Sequence, residues 1–222
     1  MSHNALNHDF ALTVYAPLVA RWINTGSIDL NKVQSKEDFA ELVSRMGRTT
    51  DDAFEIHVDR ISDRISVVKR CLDDGFLESA ILVLFTAIEG EVNSALRIML
   101  RIRNFPHGVI DAAIGGIDLK TKLDLIFPLL GIKSDERFKQ FTRQSQIVRN
   151  LEVHFRAVPE QWADSGNVKG SCDSIREKAS EFFMSNPIER VEQDISNFVD
   201  DCVNEMPEVK KAIELMSRYI NK

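Results

Sequence analysis

Apolar residues recur at steps of three and four along most of this 222-residue chain, a spacing that commits it to packed helices. The clearest run spans residues 51–73, where Phe54, Val58, Ile61, Ile65, Val68 and Leu72 form one stripe. Thr49-Thr50 followed by Asp51 and Asp52 supplies an N-cap candidate and an acidic first turn, and Gly75 ends the run. Residues 76–101 are apolar around much of the helix circumference as far as Leu84, the pattern of a central buried helix, and Asn104-Phe105-Pro106 stops it. After that the spacing predicts a loop at Gly115-Gly116, a short helix over 119–130, and a helix from Ser134-Asp135-Glu136 to about Phe155. A looser stretch, 159–170, precedes helices near 172–183, 188–204 and 208–220, punctuated by Pro187 and Pro207. The first fifty residues read as a helix over 5–23, a turn at Thr25-Gly26 and a second helix over 36–46. The predicted fold class is all-α, a helical bundle with additional N- and C-terminal helices, divided as 1–50, 51–157 and 158–222. With 10 Gly, 6 Pro and 2 Tyr, the chain is poor material for a large β domain.

A formal charge of −6 excludes a surface that is basic all over. The charge is unevenly spread, however. Residues 97–156 carry 11 Lys and Arg against 6 Asp and Glu, whereas the segments on either side are acidic. Two consequences are open at this point: a local attraction for a polyanion, or pairing of these cations with acids elsewhere in the fold. Three dispersed cysteines, Cys71, Cys172 and Cys202, with no CxxC or Cys/His cluster, fit a reducing compartment without structural zinc. The N-terminal residues lack the basic and apolar regions of a secretory signal, and the strongly apolar stretch 80–88 is less than half a membrane span. A cytoplasmic protein without a membrane partner, metal or cofactor is therefore expected.

Inside the basic third stands Ile147-Val148-Arg149-Asn150-Leu151-Glu152-Val153-His154-Phe155. On a helix, Asn150 and His154 lie one turn apart on one face, and Arg149 is long enough to reach toward the same neighbourhood. An imidazole that titrates near neutrality and a permanently charged guanidinium are two elements of phosphodiester cleavage without a metal. The other histidines suggest less chemistry. His57 sits between Glu55 and Asp59 with its neighbours spread around the axis, His3 and His8 are terminal, and His107 follows Pro106 at a helix start. Trp162 reads as a loop anchor.

The string Arg149-Asn150-x-x-x-His154 resembles the RNxxxH signature of the HEPN superfamily, all-α domains that include many metal-independent ribonucleases. The likeness extends over the middle 80 to 105 residues, through Ala87-Ile88-Glu89-Gly90-Glu91 and the Lys120-to-Leu130 segment. The order from Gly116 to Leu125 is also similar to the mannitol operon repressor-like branch. The resemblance implies a HEPN-like core over 51–157 and an endoribonuclease of toxin, stress or phage-defence type. His154 would serve as general base or acid, Arg149 would hold the scissile phosphate, and Asn150 would orient both. Glu89 would either join the site or hold Arg149 in place. Lys120, Lys122, Arg143 and Arg156 would contact RNA. A homodimer with a composite cleft is implied, with a separate antitoxin or regulatory protein as a further partner. The alternative implied by the same resemblance is a non-catalytic regulator or dimerisation protein.

Overall fold

A computed structural model describes residues 15–29, 32–49, 61–133, 135–156 and 167–220. Residues 15–24 are helical (α1), followed by α2 (Lys36–Thr49), α3 (Ile61–Asp73), α4 (Leu77–Ile102) and α5 (His107–Gly116). Next come α6 (Leu119–Thr121), a π-helical turn (Lys122–Ile126) and α7 (Phe127–Leu129), then α8 (Glu136–Arg156), α9 (Asn167–Ser185), α10 (Ile188–Glu205) and α11 (Pro207–Ile220). The described residues contain no strand, and the chain is an all-α helical bundle. The expectations for 5–14, 51–60 and 159–166, and those for His3, His8, His57 and Trp162, lie outside the described residues.

Helices end where the chain offers a residue that accepts positive φ. Gly75, at φ +75°, donates to Leu72 O at 3.0 Å while Phe76 N donates to Cys71 O at 2.7 Å, which closes α3 with a Schellman cap. Asn104, at φ +58°, performs the same closure on α4, with Asn104 N bonded to Arg101 O and Phe105 N to Leu100 O. Gly115-Gly116 departs from expectation. These glycines form the last turn of α5, and the connector shrinks to Ile117-Asp118. The reason lies in the connector itself: Asp118 accepts from Thr121 N at 2.9 Å and from Thr121 Oγ1 at 2.6 Å, so α6 starts at once. Those two bonds hold the Asp118 carboxyl below the usual carboxylate range. The expected single helix over 119–130 is interrupted by the π turn, and α9 begins at Asn167, ahead of the predicted 172.

The chain forms two compact units, each gathered from separated segments. The first comprises Met1–His57, Ser94–Lys133 and Asp200–Lys222. Its core includes Val19, Trp22, Phe39, Met99, Leu123, Phe127 and Met206, all buried. Asn24 Nδ2 donates to the C-terminal carbonyl of Ile102 at 3.2 Å, tying α1 to the end of α4. The second unit comprises Val58–Asn93 and Ser134–Val199. Here Ile61, Ile65 and Val68 of α3, part of the stripe expected over 51–73, are buried, as are Ile81, Leu84 and Ile88 of α4, the helix expected to be central and buried. Phe138 stacks on Phe198 at 4.0 Å and meets Phe141 edge-on at 4.9 Å, which joins α8 to α10. In length and apolarity α4 meets the requirement for a membrane span, yet 56% of its apolar window is buried inside the protein. It is a core helix.

Part of the basic excess of residues 97–156 is neutralised by the fold. Arg97 pairs with Asp111, Lys139 with Glu136, and Arg137 with Asp194. Arg103 grips Glu208 through Nε at 2.7 Å and Nη2 at 3.3 Å, and Nη2 also donates to Leu130 O at 2.8 Å. Two of the four acids, Asp194 and Glu208, come from the acidic C-terminal third. A local imbalance of charge in the sequence is thus partly cancelled by partners 57 and 105 positions away.

Candidate functional site

The second unit carries the motif helix. Along α8 the buried residues are Phe138, Phe141, Thr142, Ser145, Val148 and Glu152, a stripe at steps of three and four that faces the packed side. Glu152, inside the motif, belongs to this stripe, so it is turned away from the face that carries Asn150. Positions 143, 147, 150 and 154 follow one another at steps of four, three and four, the register of a single helix face. Arg143 and Ile147 on that face are exposed, and Asn150 is half-buried.

Arg149 lies between the two faces and is half-buried. Its guanidinium carbon stands 5.2 Å from the centroid of the Phe85 ring, within cation–π range, and Nη1 donates to Asn150 Oδ1 at 3.0 Å. The bond to Oδ1 settles which way the amide points. With its oxygen engaged, Asn150 presents its NH2 as donor, beside the remaining N–H groups of Arg149. The pair is therefore a small array of hydrogen-bond donors carrying one positive charge. A phosphodiester oxygen is the kind of acceptor such an array suits.

Glu89 is on α4, half-buried, one turn beyond Phe85 on the same face. The described partners of Arg149 are Asn150 and Phe85, so an aromatic ring holds the guanidinium where an acid was the expected alternative. Sequence reasoning missed Phe85. Lying in an apolar run, it carried the signal of a core residue, and only its i, i+4 relation to Glu89 marked its face. A second omission is Arg64 of α3. Its Nη1 donates to Thr86 O at 3.3 Å, and a Cβ added to Gly90 would stand only 2.6 Å from that atom. The bare glycine lets the guanidinium lie against α4 at Gly90.

The remaining expected site residues divide sharply. His154 and Arg156 are in α8, with side chains outside the described residues. Arg143 is exposed. Lys120 is exposed in α6 and belongs to the first unit, as does Lys122. Lys122 corrects the expectation. It is 2% exposed, and its Nζ donates to Ile114 O at 2.6 Å, close to the end of α5. That ammonium answers one of the terminal carbonyls α5 leaves without an intrahelical partner, and it is withdrawn from any RNA surface. Among the described residues no group of three or more His, Cys, Asp or Glu is arranged to hold a metal ion. Compared with family models, curated proteins and solved structures, the chain finds no match.

Proposed function

We propose that the Arg149-Asn150-His154 segment is the site of a metal-independent endoribonuclease of HEPN type, acting in the cytoplasm in a toxin, stress or phage-defence setting. The observation that carries the reading is the Arg149–Asn150 donor array, seated on Phe85 and oriented by the bond to Asn150 Oδ1. A guanidinium seated on an aromatic ring, with a neighbouring amide donor, would bind and neutralise a scissile phosphate. His154, on the same helix face as Asn150 by register, takes the proton from the ribose 2′-hydroxyl. The 2′ oxygen attacks phosphorus, the bond to the 5′ oxygen breaks, and the His154 imidazolium gives its proton to that oxygen as it leaves. The products are a 2′,3′-cyclic phosphate and a 5′-hydroxyl. Two copies of α8 meeting across a homodimer would make the cleft composite and line it with Arg143 from both chains.

A non-catalytic regulator is favoured instead by one observation. Ile147, on the same face of α8 as Asn150, is 59% exposed, an apolar side chain suited to contact with another protein. Incubation with mixed RNA in EDTA separates the readings. Cleavage that survives chelation, falls by about a hundredfold or more in His154→Ala and in Arg149→Ala, and yields cyclic phosphate ends supports the nuclease, provided both variants remain folded. A folded wild-type protein that cleaves none of several RNAs overturns it in favour of the regulator.

A further inference from the structure

A cleft of about 200 Å3 opens in the second unit where α9 gives way to α10 against the first half of α8. That is below the ~300–1,000 Å3 of pockets for drug-sized ligands and suits a small polar group. Arg137, Gln140, Gln144, Ser185, Asn186 and Arg190 line it, together with Asp194 and the buried Phe141 and Val191.

Its polar groups have an order. Asp194 is bonded to Arg137, which cancels that pair of charges. Arg190 is exposed and makes no ion pair among the described residues, so the cleft keeps one net positive charge. Asn186 Nδ2 donates to Gln144 Oε1 at 3.3 Å and to Phe182 O at 2.9 Å. The first bond engages the Gln144 oxygen and leaves its NH2 as donor; Gln140 and the Ser185 hydroxyl add further donors. A fork of guanidinium N–H groups with amide and hydroxyl donors around it matches a tetrahedral oxyanion better than a flat carboxylate, because three oxygens need partners in different directions. The acid nearest in sequence to Arg190 is Glu189, an exposed residue that is not part of the lining.

We infer that this cleft binds a phosphoryl group through Arg190, Gln144 and Ser185. The phosphoryl group comes either from a small phosphate monoester or from a polynucleotide backbone. The site is distinct from Arg149 and His154 and stands whether or not the chain cleaves RNA.

The test titrates the full-length protein separately with inorganic phosphate, a nucleoside 5′-monophosphate and a short single-stranded RNA. Amide shifts and calorimetry supply the readouts. Saturable binding that moves the Ser185 and Gln144 resonances, weakens about ten- to a hundredfold in Arg190→Ala and more in Arg190→Glu, and persists in His154→Ala is the expected result. Tighter binding of the monophosphate than of RNA assigns the source as a free monoester. The reverse order assigns the backbone. Unchanged affinity in a folded Arg190→Glu variant, shifts confined to other surfaces, or no saturation by any of the three probes at about 10 mM overturns the inference.

Discussion

Two lysines separated by one residue should respond to the same substitution very differently, one with a loss of stability and the other with almost none. Lys122→Met keeps an unbranched apolar stem in a site that is 2% exposed, but it deletes the ammonium that donates to Ile114 O at 2.6 Å. A hydrogen bond from a charged group contributes about 1.5–3 kcal/mol, and its loss strands a carbonyl at the end of α5. Lys122→Ala removes buried methylenes as well, for a total of about 3–5 kcal/mol. At about 2–4 °C per kcal/mol for a chain of this size, Lys122→Met should melt several degrees low. Lys120→Met, on an exposed neighbour in the same helical segment, should stay within about 0.5 kcal/mol of wild type. Urea denaturation followed by far-UV circular dichroism reads both, with RNA binding measured by fluorescence anisotropy on the folded variants. A Lys122→Met protein with an unchanged midpoint and lost RNA affinity would refute the structural role and restore the surface one.

Other expectations can be checked alongside. A double-mutant cycle on Arg103→Gln and Glu208→Gln should give a coupling of about 1–3 kcal/mol, because the pair is two-pronged and both side chains are 23% exposed; additive effects would show the pair to be idle. Phe85→Leu should cost about 0.5–2 kcal/mol in lost cation–π attraction plus a smaller packing change and move the Arg149 Nε–H resonance, whereas an unmoved resonance would mean that the ring does not seat the guanidinium. Burial pushes the Cys202 thiol up from 9.0 to about 12, with Asp201 and Glu205 adding to the shift. The folded state therefore keeps a proton that the unfolded state releases. Stability is unaffected by this group below pH 9 and falls by about 1.4 kcal/mol per pH unit above it, until the folded thiol also ionises. Cys202→Ala should flatten that alkaline loss, and Cys202 should resist alkylation at pH 8 in the native protein as mapped by mass spectrometry.

The helices themselves were legible in the linear order of residues, because their determinants are local. Gly75 and Asn104 close α3 and α4 where their types predict, and Ile61, Ile65 and Val68 of the stripe read over 51–73 are buried. Local information also placed Asn150 and His154 on one helical face, since register depends only on the 3.6-residue period. What the period cannot carry is which partner a long side chain meets. Lys122 looks like any surface lysine until α5 presents a carbonyl to it, and Phe85 looks like core until Arg149 lies over its ring. The basic excess of residues 97–156 is similarly ambiguous in one dimension. Asp194 and Glu208 neutralise part of it only because packing draws together positions 57 and 105 residues apart, and such long-range pairing is set by the summed burial of whole helices rather than by any short motif.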